Sequence, residues 1–509
     1  MSTLPAADGP PDPAARDGVL RELVALVPTG APDPQDPELL DTLWDRTLAL
    51  RAAVGRAAGE DPFADVYERD VPLAPDAAGL VADRTVLVTG GEGSVGDALI
   101  ARLTELGVRR IVSVDHARSA AGAHERTLRG RTPFVRYGVD VRDRSGLERV
   151  FERERPEVVF HLAAQRLPGV AEVLVRETLT TNLGGTRNVA SLCERFGVER
   201  CVFASTGKSS QYFSADVYAG SKKVAEWWLA SCAERSRATG FAAARFTHIV
   251  QNSPVTSEID EKIRSGLLRL HEPGRFIYVQ SIREAVALLL NALPLATPGR
   301  FCFTAVEDPG WPIDVLRIAL YELERSGRRA PICFGGLPRG YVRQTFQGQF
   351  AWDGPAAMNS MVNALEAASA ELRGGMVVAS PVSVPADAVE RALTEIDAAV
   401  GGPLTELEVA DVFAGAARSI AFESLRHSDP GALAEILVRG CDPALVPDDD
   451  ALAEHGVLVT MLLAALDERT VHGGARFEQA YARAREVTGE ADADTGSLRS
   501  GRDDVEVRV

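Results

Sequence analysis

Thr85-Val-Leu-Val-Thr-Gly-Gly-Glu-Gly-Ser-Val-Gly96 decides the fold. An apolar, β-branched run of five residues reads as a buried strand, and Asp97–Leu106 just beyond it reads as an amphipathic helix. Between them stand Gly90, Gly93 and Gly96. Glycines at this spacing serve a tight turn, close backbone approach of a pyrophosphate, and close packing of helix on strand. Ser94 and Val95 lie at the helix start, where unpaired N–H groups and the positive dipole end favour phosphate. Moving outward, Ile111–Asp115 reads as the next strand and ends on Asp115, at the usual distance of about 20 residues. That carboxylate is placed to accept hydrogen bonds from the adenosine ribose hydroxyls and to repel a 2′-phosphate, which favours NAD over NADP. Arg118 is either a counterweight to this preference or a solvated surface arginine. Asp140-Val141, after strand Phe134–Tyr137, is placed to cap the adenine, or Asp140 is a helix N-cap.

Further strands are expected at Val158–His161, Arg200–Ser205 and Phe241–Phe246, alternating with helical segments. Such alternation predicts a doubly wound parallel sheet, the Rossmann type of α/β fold. Beyond Thr247 the pattern is irregular, with strand candidates Phe276–Val279, Arg300–Thr304 and Pro331–Phe334, and predicts a smaller α+β lid over the C-terminal edge of the sheet. Helical patterns at Val19–Leu26 and Pro37–Ala57 predict an N-terminal extension. Those at Asp387–Val400 and Leu404–Arg485 predict a C-terminal one, before a polar tail. The expected division is 1–82, 83–250 (cofactor domain), 251–402 (substrate region with sheet-completing elements) and 403–509.

The chain has 509 residues, 46% of them apolar and 25% charged, with a formal charge of −17. This argues against nucleic acid or an anionic membrane as partner, since either calls for a basic footprint. The opening residues lack the pattern of a signal peptide, and no apolar run approaches the roughly 20 residues needed to span a bilayer, so a cytoplasmic protein is expected. Six scattered cysteines show no ligand or C-x-x-C spacing, so neither a disulfide nor a metal site is expected.

Tyr218-Ala-Gly-Ser-Lys222 puts tyrosine and lysine one helical turn apart on one face. A lysine ammonium there is expected to lower the phenol's pKa, so that the tyrosine takes a hydroxyl proton as hydride leaves carbon for nicotinamide. Ser205 and Thr206 are expected to offer hydroxyls to the same substrate oxygen. Gly207-Lys208-Ser209 is not a nucleotide-triphosphate loop, because the second glycine that loop requires is Val202 here.

Thr89–Gly96, Asp140–Asp143, His161-Leu-Ala-Ala164, Asn182–Thr186, Ser205-Thr206 and Tyr218–Lys222 together resemble the extended short-chain dehydrogenase/reductases, and within them the nucleotide-sugar 4,6-dehydratases of the polysaccharide-biosynthesis group. The similarity resembles the cytoplasmic part of long, membrane-anchored members and fades after Gly340. It implies an NAD enzyme, expected as a homodimer or higher homo-oligomer, with Leu162, Ala163, Ala164, Asn182 and Lys222 beside the cofactor. It also implies oxidation of a sugar hydroxyl, removal of a proton beside the resulting ketone, loss of water and return of hydride.

The substrate half departs from the family. The family's Ser-Thr-Asp-Lys is Ser205-Thr-Gly-Lys208, so the lysine base is retained and the acid is absent. Its Arg-Phe-Gly-Asn-Val-Leu-Gly is Arg245-Phe-Thr-His-Ile-Val-Gln251, its Lys-His is Arg166-Leu167, and its Gly-Leu-Arg-Pro-Gly-Glu-Lys is Gly336-Leu-Pro-Arg-Gly-Tyr-Val342. Arg166, His248, Asn252, Arg275 and Arg339 are candidate substrate ligands, Arg245 is a further candidate for a diphosphate, and His248 is also a candidate acid. The leading expectation is NAD-dependent modification of a nucleotide-linked sugar, as a dehydratase or an epimerase. The alternatives are a plain dehydrogenase of another alcohol and a non-catalytic NAD-binding scaffold.

Overall fold

The computed structural model describes residues 11–116, 132–252, 254–337, 345–467 and 474–489, with the backbone alone at 124–128, 252 and 254. β1 (Thr85–Thr89) is buried at every position, as a strand covered on both faces must be. Around it lie β2 (Arg110–Asp115), β3 (His124–Leu128), β4 (Thr132–Gly138), β5 (Val158–His161), β6 (Arg200–Thr206) and β7 (Gly240–Phe246). The ten-stranded sheet runs β3-β4-β2-β1-β5-β6-β7 and continues through Phe301–Val306, Met376–Ala379 and Glu371–Arg373. The strands from β4 to Phe301–Val306 are parallel, and the outer ones are antiparallel. The order reverses between β1 and β5, and in sheets of this kind ligands bind over the C-terminal ends at that switch.

One expectation is corrected: Phe301–Val306 lies in the main sheet beside β7, not in a lid. The strands Glu371–Arg373 and Met376–Ala379 escaped the sequence reading. They form a hairpin on Gly374-Gly375, both at positive φ, and a Gly-Gly pair between two short runs is its signal. Short ladders form outside the main sheet: His248–Ile249 with Val279–Gln280, Leu268–Leu270 with Ile332–Phe334, and Phe276–Ile277 with Ile313–Asp314. Their core, including Leu268, Leu320 and Ile332, is shared with Leu23, Leu43 and Leu50 of the N-terminal helices Pro13–Leu26 and Pro37–Val54.

The chain forms two compact units, one of residues 1–343 with 349–428 and one of 344–348 with 429–509. Within the second, helices Pro430–Gly440, Gly456–Asp467 and Ala475–Thr488 pack together, and the Phe346 ring fills the space where a Cβ on Gly440 would lie.

Helix Val217–Arg235, which carries Tyr218 and Lys222, buries 15 of its 19 residues. The buried set includes Lys222, Lys223 and Glu226 as well as apolar residues, so neighbours must cover the helix on every side. Its outer side packs against helices Ala386–Gly401 and Glu406–Arg426, and Phe413 lies where a Cβ on Gly220 would come within 2.9 Å. Arg176 holds that pair in place, donating to Glu406 Oε1 at 2.6 Å and to the carbonyl oxygens of Val400 and Gly402.

Arg245 is fully buried and is not a diphosphate ligand. Its guanidinium donates to both oxygens of Glu226 (3.0 and 2.7 Å), to both of Glu366 (2.7 Å each) and to the Met361 carbonyl (2.8 Å). It also stacks 3.6 Å from the Phe303 ring centroid. Breaking such a group is expensive, because two carboxylates are left buried without their cation. Arg245→Met is expected to lower the stability of the first unit by about 3–5 kcal/mol, and Arg245→Lys is expected to restore only part, since an ammonium cannot serve two carboxylates bidentately. Urea denaturation followed by tryptophan fluorescence measures this, and a loss below about 1 kcal/mol would place the cluster outside the range of buried ion pairs.

Candidate active site

The glycine turn is tightly closed. Gly90 has φ +72°, and a Cβ there would sit 2.7 Å from the Ala163 nitrogen; one at Gly96 would sit 2.3 Å from the Gly90 oxygen. Helix Ser94–Glu105 starts immediately after Gly93, earlier than its apolar periodicity indicates. Gly93 has no capping side chain, so the first-turn N–H groups of Ser94, Val95 and Gly96 are available to an anion. Asp115, at the end of β2, accepts from the Glu92 N–H of this turn at 3.0 Å. Arg118 lies outside the described residues.

Asp140 is not a helix N-cap. That position belongs to Asp143, which accepts from Gly146 N at 2.9 Å. Asp140 is held by Arg142 through contacts of 2.6 to 3.0 Å; burial pushes its carboxyl up, the Arg142 hydrogen bonds outweigh this, and the net shift is downward. Val141 packs where a Cβ on Gly185 would stand, 2.6 Å away. Leu162 and Ala163 leave β5 tied to Thr89, their N–H groups donating to its carbonyl and hydroxyl oxygens, and Ala164 follows in the same loop. Asn182 lies in a π-turn at Thr180–Gly185. It accepts from Gln165 N (2.9 Å) and donates to Gln165 O (3.2 Å) and Ser221 Oγ (3.0 Å), joining the loop after β5 to the Tyr218 helix. His161 lies between the hydroxyls of Thr89 and Thr186, and burial lowers it to about 3, so it is a neutral spacer.

Side chains alternate along a strand, and this separates Ser205 from Thr206. Ser205 Oγ is committed to Glu226 and Ser209 in the buried cluster, which corrects its reading as a substrate contact. The Thr206 hydroxyl instead hydrogen-bonds Tyr218. Lys222 also departs from expectation. Its Nζ donates to the Ala204 carbonyl at 2.8 Å and lies 4.4 Å from the Phe203 ring centroid, and burial lowers it to about 7. Tyr218 is raised rather than lowered. Burial is the main cause; the Thr206 hydrogen bond opposes it, Asp216 adds to it, and Arg166 works against it.

Lys208 stands on the short turn Gly207–Ser210, which is clamped from several sides. Ser210 Oγ donates to Ser360 O (2.8 Å), Asn363 donates to Ser210 O (2.7 Å), and Lys223 Nζ donates to Ser209 O (2.8 Å). Gly207 has a physical reason to lack a side chain, because a Cβ there would come within 2.7 Å of Met361 Cγ. Lys208 Nζ lies 3.8 Å from Asp216 Oδ2. Burial first, and then the Lys208 charge, lower His248 to about 4, so its imidazole is neutral at pH 7; its ring faces the Tyr278 carbonyl at 3.3 Å. Tyr218, Thr206, Lys208, His248 and Arg166 are thus neighbours. Arg275 sits at the start of the Phe276–Ile277 strand, where its charge acts on His271. The side chain of Asn252 and the whole of Arg339 lie outside the described residues.

The sequence reading missed Asp216. It caps the helix of Tyr218 by accepting from Ala219 N at 2.8 Å, while its other oxygen faces Lys208. Its signal is an aspartate at an N-cap two residues before the tyrosine. Among the described residues, no group of His, Cys, Asp and Glu is arranged to hold a metal ion, and no helix is long and apolar enough to cross a membrane.

Residues 86–338 match the family described as polysaccharide biosynthesis protein. The chain is 27% identical over 274 residues to the capsular polysaccharide biosynthesis protein CapD of Staphylococcus aureus, covering 52% of this chain and 45% of CapD. It is 30% identical over 228 residues to the uncharacterized membrane protein MJ1061 of Methanocaldococcus jannaschii, covering 44% and 67%. It is 25% identical over 259 residues to a UDP-glucose 4-epimerase of Rickettsia rickettsii, covering 48% and 73%. The chain therefore spans about half the length of CapD. Matching sequence, a doubly wound sheet and the Tyr218/Lys222 helix agree, and the chain belongs to the polysaccharide-biosynthesis family of extended short-chain dehydrogenase/reductases.

Proposed function

We propose that this protein is an NAD-dependent enzyme that modifies a nucleotide-linked sugar through transient oxidation of a ring hydroxyl. The observation that carries the reading is the convergence of Thr206, Tyr218 and Lys208 at the C-terminal end of β6, on the side of the sheet switch served by the glycine turn. The names of CapD and of the 4-epimerase support a sugar nucleotide as substrate class. The glycine-rich turn at Gly90–Gly96 and the uncapped helix behind it fit the dinucleotide's phosphates, and Asp115 fits its ribose. When bound, NAD supplies the hydride acceptor and, later, the donor.

The protein's own residues manage protons and position. Tyr218 takes the proton of the sugar hydroxyl, with Thr206 orienting the phenol. Lys222 is fixed by the Ala204 carbonyl and serves the cofactor ribose. A ketone acidifies the neighbouring C–H, and Lys208 is the base placed to remove that proton. Arg166 and His248 bind substrate oxygens, His248 as a neutral donor or acceptor. The enzyme works in the cytoplasm, where nucleotide sugars are made. A homodimer would use a face other than helix Val217–Arg235, which its own chain covers.

Asp115 is expected to give NAD at least a tenfold preference over NADP, on the order of 1.4 kcal/mol; titration calorimetry with both cofactors checks this, and a preference for NADP would overturn the role of Asp115. Tyr218→Phe removes one hydroxyl and is expected to leave NAD binding intact while slowing oxidation of the sugar by about 10²–10⁴. Single-turnover absorbance at the NADH band reads the effect, and near-normal turnover would dismiss Tyr218 as the proton acceptor.

A further inference from the structure

Gly207 leaves the base Lys208 without an acid beside it in sequence, but not in space. We infer that Asp216 is the proton partner of Lys208 and the acid that delivers a proton to a departing hydroxyl. This rests on the function proposed above and narrows it to loss of water from the sugar.

Three observations place Asp216 in this role. Its Oδ2 lies 3.8 Å from Lys208 Nζ, a gap that the flexible end of a lysine closes. Its Oδ1 is fixed by the Ala219 N–H at the start of the helix that carries Tyr218, so the carboxylate cannot swing away from the site. Its side chain is only 9% exposed, and its charge is felt by the Tyr218 phenol. The usual alternative position is closed, because Met361 occupies the space a side chain at residue 207 would need. Near this pair, Arg166 acts on the Tyr218 phenol, neutral His248 lies beside Lys208, and the Glu172 carboxylate accepts from Val217 N at 2.7 Å. Of these groups, Asp216 is the carboxylate that faces Lys208.

The proton balance closes within the pair. The Lys208 ammonium passes a proton to the Asp216 carboxylate, and the resulting neutral amine and neutral carboxylic acid are the reactive tautomer of the resting ion pair. The amine removes the C–H proton beside the ketone, and the electron pair moves into an enolate. The enolate re-forms the ketone as the β C–O bond breaks. The Asp216 acid gives its proton to the leaving oxygen, so water departs, an enone remains, and the pair returns to ammonium and carboxylate.

Asp216→Asn keeps an N-cap acceptor and therefore the helix start. The first measurement needs no substrate. Acylation of Lys208 by acetic anhydride at pH 8, quantified by mass spectrometry, is expected to run several-fold faster in Asp216→Asn than in wild type, because the ion-pair partner that engages the amine is gone. An unchanged rate would show that the two groups are uncoupled and overturn the inference. The second measurement follows UDP-glucose and UDP-N-acetylglucosamine in D₂O. Asp216→Asn is expected to retain deuterium exchange at carbon while water loss falls about 10²-fold or more. Water loss within about threefold of wild type would overturn the acid role, and so would simultaneous loss of exchange, NAD binding and elimination, which would mark Asp216 as structural. If wild type oxidises these sugars, seen as NADH, without losing water, the acid role fails and the redox reading stands. If it oxidises neither, the proposed function itself fails.

Discussion

A guanidinium sealed from water must find its full set of acceptors inside the protein, and Arg245 finds them on elements far apart in the chain. Glu226 comes from the helix that bears Tyr218, Glu366 and the Met361 carbonyl come from the segment 349–369, and Arg245 itself is the penultimate residue of β7. Two carboxylates against one guanidinium leave an excess negative charge, and Lys223 offsets it from the same helix. Each member is tolerable only because the others are present, since an unpaired charge at this depth would cost more than the contacts return. The cluster therefore fixes the distance between the sheet, the catalytic helix and the 349–369 segment.

That spacing shapes the site. With Glu366 held, Met361 and Asn363 are pressed against the turn Gly207–Ser210, and Lys223, already part of the charge balance, holds Ser209 from the other side. Lys208 thus stands on a turn that cannot relax. A side chain at residue 207 would have to displace Met361, so glycine there follows from the packing beneath it. A carboxylate, if the chemistry needs one, must come from elsewhere, and the start of the Tyr218 helix supplies Asp216 at 3.8 Å from Lys208.

Much of this was legible in the sequence, for identifiable reasons. The main strands β1, β2 and β5–β7 announce themselves because parallel strands buried on both faces read as continuous apolar runs. The glycine turn is legible because each glycine answers a local steric demand. What depends on partners distant in sequence was not legible. Ser205 and Thr206 are chemically alike as neighbours, and only the strand's alternation against a buried Glu226 separates them. Arg245 reads as a phosphate ligand until Glu226 and Glu366 are seen around it. Lys222 and Tyr218 lie one turn apart, but that spacing does not say that burial would outweigh the lysine's charge and raise the phenol.

Asp216 shows why such sites are hard to read from motifs. As an N-cap it has a sufficient structural role, and nothing in Ala215-Asp216-Val217 distinguishes it from the caps at Asp314 or Asp429. The difference is that a carboxylate has two oxygens and a cap consumes one. At Asp216 the second oxygen faces Lys208, across the turn that Met361 keeps bare. A catalytic group anchored in this way costs no extra order, because the helix start already fixes its rotamer. Rigid placement is also what proton transfer needs, since the acid must sit within reach of the leaving oxygen when the C–O bond breaks. The chain can therefore lose an acid from one turn and keep the chemistry, provided a helix begins beside the base and begins with an aspartate.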